Sequence, residues 1–335
     1  MAVTGKNYKR ASRLLAGGKV VAIPTETVYG LAANALDELA VEQIFSTKGR
    51  PHYNPLIIHI GSRNDLYEYV AEVPEVAQRL IEKFWPGPLT LLLPKKDIVP
   101  DLITASLPRV AVRMPDHPLT LKLLQLLDFP LAAPSANPFC YISPTRAEHV
   151  QQQIGDKIPY ILDGGPCVQG LESTIVGFEE GVPVVYRLGA ITPEEIRAVA
   201  GQVVINQQSG KQPQGPGMLP FHYSPRTPLY FTDQVPELLQ ESNLSDTGVI
   251  SFQRLHPEVP ESHQVVLSAT GNLQEAASRL YDALHYLDGL NLSRIVAEKL
   301  PEHGLGMTIN ERLKKAAGKT VGSGAKAEAL PAPLP

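Results

Sequence analysis

The sequence predicts an α/β fold of two unequal domains, and two observations carry that prediction. Its 335 residues suffice for two domains of ordinary size, and 43% of them are apolar, so the chain can bury real cores. Over the first two hundred residues, apolar segments of strand length alternate with segments of helical periodicity. This interleaving is typical of an α/β unit, and it resumes after a region rich in proline and glycine.

In the first domain, helices are predicted where apolar residues share one helical face between capping or breaking residues. They cover residues 6–16, 37–45, 75–84, 118–127 and 144–154, with one more opening at Thr192. Asp37 is a candidate N-cap, and Thr192 begins a capping-box pattern with proline at the first helical position. Strands are predicted for short apolar runs between turn signals. They cover residues 19–23, 56–60, 89–93, 110–114, 131–133, 160–162, 174–178 and 184–187.

Residues 202–228 break this pattern. They hold five prolines and three glycines without periodicity, which is the composition of a linker, although His222 and Tyr223 are unusual in a plain spacer. The chain is therefore expected to divide into four parts. These are a domain over 1–201, a linker over 202–228, a small α/β domain over 229–317 and a disordered tail over 318–335.

In the second domain, the same reasoning predicts three helices and four strands. The helices cover residues 236–241, 273–287 and 309–317. The strands cover residues 229–231, 248–252, 264–267 and 295–297.

Composition excludes several classes of protein. The formal net charge of −4 argues against a protein that coats nucleic acid by charge alone. The two cysteines, Cys140 and Cys167, lack the spacing of a structural zinc site and fit a reducing cytoplasm. No apolar run is long enough to span a membrane, and the N-terminal residues lack the apolar core of a signal peptide. The sequence also lacks a P-loop, so any nucleotide must bind without that standard phosphate loop.

Two phrases carry the most chemical information. Pro24-Thr-Glu-Thr-Val-Tyr-Gly30 is a polar turn that leaves an apolar strand, and Lys48-Gly-Arg-Pro51 is followed by Asn54-Pro-Leu56. Lys48 and Arg50 are candidate phosphate ligands, since lysine offers a point charge and arginine a planar fork. The alternative, equally weighted from spacing alone, is a solvated helix end where cations favour the helix dipole.

Further polar residues cluster at predicted strand ends, where ligands of open α/β sheets bind. They are His59, Arg113, Ser135 with Asn137, Glu172-Ser173-Thr174, and Arg187 before Leu188-Gly189. Each has an ordinary explanation as a core histidine, a surface ion pair or a turn former. Several such clusters at the strand ends of one domain nevertheless favour a binding site.

These phrases, in this order, resemble the YrdC-type family over roughly residues 6–200. The resemblance includes Pro134-Ser-Ala-Asn137, Glu172-Ser-Thr-Ile175 and Arg187-Leu-Gly189. The continuation through Pro216-Gly-Met218 and His222-Tyr-Ser-Pro225 is similar to the longer, two-domain L-threonylcarbamoyladenylate synthases. The resemblance implies a YrdC-like twisted open sheet with flanking helices and a smaller, Rossmann-like C-terminal domain.

The resemblance also implies a reaction. L-Threonine, bicarbonate and ATP would give L-threonylcarbamoyladenylate and pyrophosphate. A downstream threonylcarbamoyl transferase complex would then modify tRNA next to the anticodon, with tRNA bound here only indirectly or weakly. Mg²⁺ would be held mainly through the ATP phosphates, because no protein carboxylate cage is visible in the sequence.

Site roles follow from the same resemblance. Lys48 and Arg50 would act at the phosphates. The ATP site would comprise Arg50, Asn54, Ser135, Asn137, Ser143, Arg187 and Tyr223. The threonine site would comprise Thr27, His59, Arg113, Ala133 and Ser173, with Arg113 on the carboxylate. His222 and Tyr223 would form a lid that limits hydrolysis of the adenylate.

Two positions depart from the family pattern. Phe221 stands where many relatives have a basic residue, and Arg109 stands where a small hydroxyl residue or glycine is more usual. Two rival functions are a carbamoyl-adenylate-forming module of hydrogenase maturation and a module that binds double-stranded RNA or tRNA. The cysteine-poor chain disfavours the first, and the acidic net charge disfavours the second.

Overall fold

The chain folds as two compact units in the computed structural model, which describes residues 1–206, 218, 222–240 and 242–317. Among these residues, the first unit holds 1–139, 143–206 and 218, and the second holds 140–142, 222–240 and 242–317. The predicted fold class is confirmed: a large sheet with helices, plus a smaller α/β unit. The predicted linker lies only partly within the described residues. The predicted disordered tail and Phe221 lie outside them.

The first unit is built on an 11-stranded mixed sheet of order β1-β8-β2-β3-β7-β4-β6-β5-β9-β10-β11. Its strands are β1 (Val3–Gly5), β2 (Val21–Ile23), β3 (Gly30–Asn34), β4 (Ile57–His59), β5 (Leu89–Pro94), β6 (Arg109–Arg113), β7 (Leu131–Ala132), β8 (Tyr160–Leu162), β9 (Thr174–Glu179), β10 (Val182–Arg187) and β11 (Val204–Ile205). Its helices are α1 (Tyr8–Ala16), α2 (Glu38–Lys48), α3 (Leu66–Tyr69), α4 (Glu75–Phe84), α5 (Asp101–Thr104), α6 (Pro118–Leu124), α7 (Ala147–Ile154) and α8 (Pro193–Ala200).

The predicted helix caps form as the sequence indicates. The Asp37 side chain accepts hydrogen bonds from the backbone N–H groups of Leu39 and Ala40, at 3.0 and 3.2 Å. Helix α2 ends at Gly49, whose φ of 63° is the left-handed conformation that glycine adopts without a Cβ penalty. At α8, Thr192 and Glu195 form the reciprocal capping box.

Sequence patterning missed one strand that matters for the site. Strand β3 pairs antiparallel with β2, so the polar turn between them is a strand connection. Its sequence Gly-Leu-Ala-Ala-Asn contains no β-branched or aromatic residue, and for that reason it carried no strand signal. The helix expected to open at residue 144 begins instead at Ala147, because Arg146 is extended.

The two faces of the large sheet are covered differently. One face carries the main core, to which α2, α4, α7 and α8 contribute buried residues. On the other face, α1 and α6 pack over strands β8, β2, β3 and β7. A separate small cluster is formed by residues of β4, β5, β6, β9 and β10, and the partly buried Met218 packs against it. These strand residues are Ile57, Leu92, Ala111, Ile175, Val184 and Tyr186.

The second unit is a four-stranded parallel sheet of order β12-β15-β13-β14. Its strands are β12 (Leu229–Thr232), β13 (Thr247–Ser251), β14 (Gln264–Val266) and β15 (Arg294–Glu298). Its helices are α9 (Val235–Gln240), α10 (Leu273–Gly289) and α11 (Leu305–Ala317), with short 3₁₀ turns at Leu244–Asp246 and Glu261–His263. Asn272 caps α10 through its side chain. Parallel strands with intervening helices satisfy the expectation of a smaller α/β unit.

None of the helices in the described part of the chain is both long and apolar enough to cross a membrane.

Candidate active site

A single register row crosses six strands of the large sheet. Leu131 of β7 pairs with His59 of β4, and His59 pairs with Arg113 of β6. Arg113 pairs with Thr90 of β5, and Thr90 with Ile175 of β9. Ile175 in turn pairs with Arg187 of β10. Residues in one row share a face, so the pairing brings a histidine, two arginines and a threonine to one side of the sheet.

A β-bulge places Arg187 in this row. The register of β10 against β9 shifts between Val185 and Arg187. Without the extra residue, Tyr186 would be opposite Ile175. The bulge therefore redirects a cation toward the row, which is a common use of bulges beside functional sites.

Arg113 is buried within the row, between His59 and Thr90. Its exposed fraction is 4%, so the reading as a surface ion pair is wrong. Nη1 donates to Oγ1 of Thr27 at 3.0 Å, and Nε donates to the backbone oxygen of Gly87 at 3.3 Å. Nη2 lies 2.5 Å from Oε1 of Glu26, an ion pair whose angles do not make a hydrogen bond.

Glu26 is itself held in place. Its Oε2 accepts a hydrogen bond from the backbone N–H of Asp116 at 3.1 Å, and only 4% of the residue is exposed. Buried charges need partners, and Glu26 supplies one for Arg113. Sequence reasoning noted the phrase that contains Glu26 but gave the residue no role, since a partner 87 positions away leaves no local signal.

His59 lies next to Arg113 and is neutral. Burial, and secondly the positive charge of Arg113, lower the pKa of its imidazole to about 3. Its Nδ1 is buried and has no hydrogen-bond partner within the described residues. The geometry places a neutral ring with an unused nitrogen beside the arginine, and a ligand could satisfy that nitrogen.

Lys48 closes helix α2 and braces the loop after β7. Its Nζ donates to the backbone oxygens of Ser135 and Asn137, at 2.6 and 2.5 Å, and only 4% of the residue is exposed. The solvated helix end considered from the sequence is therefore wrong for this residue. The same loop is tied to the first phrase, because Ala136 donates its N–H to the Tyr29 oxygen and Gly30 bridges to Ser135.

Arg50 braces the turn that follows α2. Its Nε donates to the backbone oxygen of Asn54 at 3.1 Å, and Nη2 donates to that of Pro55 at 2.7 Å. Asn54 has no exposed surface, and neither atom of its side-chain amide has a hydrogen-bond partner among the described residues. A buried amide without partners is costly and marks a position that a polar ligand could complete.

Arg187 forms one end of the row and is held by Ser173, which lies just before β9. Arg187 Nε and Nη2 donate to the backbone oxygen of Ser173 at 3.1 and 2.7 Å, and Nη2 also reaches the Ser173 hydroxyl at 3.0 Å. That hydroxyl lies 2.7 Å from Oγ1 of Thr90. Gly189 packs on the same backbone, and a Cβ there would lie 2.4 Å from the Ser173 carbonyl carbon.

Ser143 and Ala133 lie in the same connection, between β7 and α7. The Ser143 hydroxyl donates to Oε1 of Glu172 at 2.7 Å, directly before Ser173 in the chain. Ala133 donates its N–H to the Ile57 oxygen at 3.1 Å, which joins the end of β7 to β4. The predicted roles of Ser143 and Ala133 stay predictions, and sequence reasoning did not pair Ser143 with Glu172.

His222 and Tyr223 belong to the second unit. Their rings are 4.0 Å apart, and the Tyr223 ring lies 5.7 Å from that of Tyr281 in α10. The guanidinium of Arg312 in α11 is 5.0 Å from the Tyr223 ring centroid. His222 is 7% and Tyr223 1% exposed, so both side chains are buried. Their predicted roles in a lid and an ATP site stay predictions.

Arg109 has a local explanation. It pairs with Glu179 at 2.8 Å, donates to the Tyr186 hydroxyl at 3.2 Å and lies over the Tyr186 ring. Hydrogen bonds from Tyr186 and Arg109 lower the pKa of the Glu179 carboxyl. This group stabilises the opposite end of β6 from Arg113.

The candidate site is rich in cations and hydroxyls. In the described ranges, no group of three or more histidine, cysteine or acidic side chains is arranged to hold a metal ion. A divalent cation in this site would therefore depend on ligand oxygens for most of its coordination.

Comparisons with known proteins agree with the motifs. The family model that covers Sua5, YciO and YrdC proteins, described as "Telomere recombination", matches residues 13–189. A second model, "Threonylcarbamoyl-AMP synthase, C-terminal domain", matches residues 191–318.

Similar proteins match along almost the whole chain. A threonylcarbamoyl-AMP synthase of Bacillus subtilis is 41% identical over 322 residues, with 93% of each chain covered. One of Pyrococcus abyssi is also 41% identical, covering 92% of this chain and 93% of the relative. The crystal structure of Pyrococcus abyssi Sua5 complexed with L-threonine superposes with a TM-score of 0.87 at 39% identity, covering 96% of this chain and all of that one. By its motifs, its two matching family models and these relatives, this chain belongs to the threonylcarbamoyl-AMP synthase family.

Proposed function

We propose that this chain makes L-threonylcarbamoyladenylate from L-threonine, bicarbonate and ATP, with release of pyrophosphate. The observation that carries the proposal is the register row, which brings His59, Arg113, Thr90 and Arg187 to one face in a chain of this family. The threonine amine and bicarbonate form an N-carboxy anion with loss of water, and this anion attacks the α-phosphate of ATP and displaces pyrophosphate. Two anions must meet, so the site must neutralise charge and fix geometry.

Arg113 would bind the threonine carboxylate. A guanidinium has five N–H groups: Nε donates to Gly87, Nη1 uses one of its two on Thr27, and Nη2 lies beside the Glu26 carboxylate. The remaining N–H groups on Nη1 and Nη2 suit a carboxylate, for which arginine forms a two-pronged match. Thr27, His59, Ser173 and the backbone at Ala133 would complete the threonine site.

Lys48 and Arg50 would act at the phosphates of ATP. Both are already fixed by hydrogen bonds to backbone oxygens, so little reorganisation is needed when the nucleotide binds. Asn54 would gain partners for its buried amide. The rest of the ATP site would be Ser135, Asn137, Ser143, Arg187 and Tyr223.

Mg²⁺ fits this site as an ATP-bound ion. The described residues offer no carboxylate cage, so Mg²⁺ would reach the site on the phosphate oxygens of ATP. Bound in this way, Mg²⁺ would screen the phosphate charge during attack at the α-phosphorus.

The linker would serve as a lid. His222 and Tyr223 would limit water at the labile adenylate, and truncation after Gly201 should increase adenylate loss or lower activity.

The product would pass to a threonylcarbamoyl transferase complex that modifies tRNA, with direct tRNA binding weak. Two cysteines in 335 residues fit a cytoplasmic location.

Pyrophosphate release tests the proposed reaction. Protein, ATP, Mg²⁺, L-threonine and bicarbonate are mixed, and pyrophosphate is followed with each substrate omitted in turn. Release should require both L-threonine and bicarbonate. Release that is independent of either substrate would refute the synthase assignment.

A further inference from the structure

Thr90 is a fully buried hydroxyl in the centre of the register row. It lies in β5 between Arg113 and Ile175 and has no exposed surface. Its Oγ1 is 2.7 Å from the Ser173 hydroxyl, and no other hydrogen-bond partner of that side chain occurs within the described residues. Nothing in the apolar run Leu89–Pro94 marks this residue as functional.

The direction of the hydrogen bonds follows from counting donors and acceptors. A buried hydroxyl must donate its hydrogen, and for Thr90 the acceptor in reach is the Ser173 oxygen. Ser173 Oγ also accepts from Arg187 Nη2 at 3.0 Å. Two incoming hydrogen bonds fill both lone pairs of a hydroxyl oxygen.

Ser173 is consequently left as a donor. Both of its lone pairs are used, and among the described residues its own O–H has no acceptor. Hydrogen bonds from a guanidinium and a second hydroxyl polarise this O–H and make it a stronger donor. The acceptor that fits such a donor best is an anionic oxygen.

We propose that Thr90 is a positioning residue which, together with Arg187, fixes the Ser173 hydroxyl as a hydrogen-bond donor to a carboxylate oxygen of the amino-acid substrate. The inference rests on the proposed function, because it takes threonine as that substrate. The acceptor is either the α-carboxylate of threonine or the carboxylate of its N-carboxy derivative. Arg187 belongs to the nucleotide side, so the same three side chains link the two substrate sites.

The test is a set of substitutions that separate the hydroxyl of Thr90 from its shape. Thr90→Val keeps the shape and removes the hydroxyl, and Thr90→Ser keeps the hydroxyl. We expect Thr90→Val to weaken threonine recognition about tenfold, as for one hydrogen bond to a charged group, and Thr90→Ser to restore it. A matched control is Thr104→Val, since Thr104 is also buried, and its one side-chain hydrogen bond within the described residues goes to the Asp101 oxygen of its own helix.

Two measurements identify the acceptor. Threonine binding to the nucleotide-free protein, measured by calorimetry, should fall tenfold if Ser173 serves the α-carboxylate. If binding is unchanged and kcat falls instead, the acceptor is the N-carboxy group. Wild-type turnover is measured alongside, so that a protein inactive with threonine and bicarbonate counts against the proposed function and not against Thr90.

A double-mutant cycle decides whether Thr90 acts through Ser173. In a Ser173→Ala background, Thr90→Val should have no further effect on KM or kcat. Undiminished, additive effects in the cycle, or a Thr90→Val protein that matches wild type in both binding and kcat, would overturn the inference. If Thr90→Val does not fold, Thr90→Ala against Thr90→Ser replaces it, because that pair differs only in the hydroxyl.

Discussion

Arg113 and Arg187 lie in one register row, yet the protein holds them by different means. Arg113 lies 2.5 Å from the Glu26 carboxylate, whereas the hydrogen bonds described for Arg187 go to the backbone oxygen and hydroxyl of Ser173. A carboxylate cancels charge, while carbonyl and hydroxyl oxygens orient a cation and keep its net charge. Among the described contacts, Arg113 therefore depends on a buried ion pair, and Arg187 on oriented dipoles.

The strongest test of this comparison is to remove each guanidinium. Arg113→Met leaves Glu26 as a buried anion and should cost about 3–5 kcal/mol of unfolding free energy. Arg187→Met removes a guanidinium whose described hydrogen bonds go to neutral acceptors, and it should cost about 1–3 kcal/mol. Urea unfolding of both variants measures the difference.

The ion pair predicts a rescue at one arginine and not at the other. Combining Glu26→Gln with Arg113→Met should recover part of the lost stability, because the buried charge is gone. The same glutamine should not improve Arg187→Met. Equal losses of unfolding free energy for the two methionine variants, or no rescue by Glu26→Gln, would contradict the distinction between Arg113 and Arg187.

Lys48 and Arg50 resemble Arg187 in this comparison, since both donate hydrogen bonds to backbone oxygens. Their burial revises what the sequence alone would predict, namely loss of turnover with stability nearly intact. Lys48→Ala should lower kcat about a hundredfold, the loss typical for one transition-state contact, and also cost about 1–3 kcal/mol of stability. Arg50→Ala should behave alike, and exposed Lys19→Ala is the matched control. An unchanged melting temperature for both site variants would mean that these hydrogen bonds contribute little to stability.

His59 gives an effect on stability that depends on pH. The folded pKa, about 3, lies below the ordinary value of 6.5, so the unfolded chain binds this proton first. The contribution to stability is complete above pH 6.5 and is lost as pH falls toward 3. The loss should approach about 1.4 kcal/mol per pH unit within that window.

Unfolding measured between pH 7 and pH 4 for wild type and His59→Gln isolates this term. The two stability curves should run parallel above pH 7 and converge as the pH falls. An imidazole NMR titration of His59 near pH 6.5 would rule out this account, and with it the close influence of Arg113 on the ring.

The sequence predicted more of the fold than of the side-chain contacts in the candidate site. Caps such as Asp37 and Thr192 are local, and the structure has them where predicted. The strand Gly30–Asn34 escaped detection because pairing, and not propensity, makes it a strand. Glu26 and Thr90 went unassigned because their partners, Arg113 and Ser173, are 87 and 83 positions away along the chain.

The register row has a consequence for how the protein acquires activity. Each of its polar side chains comes from a different strand, and a slip of one residue in any pairing turns that side chain to the opposite face. A misaligned sheet could keep its secondary structure and much of its burial while losing its chemistry. Recovery of turnover during refolding is thus a stricter report of strand alignment than circular dichroism, and it should lag behind the spectroscopic signal.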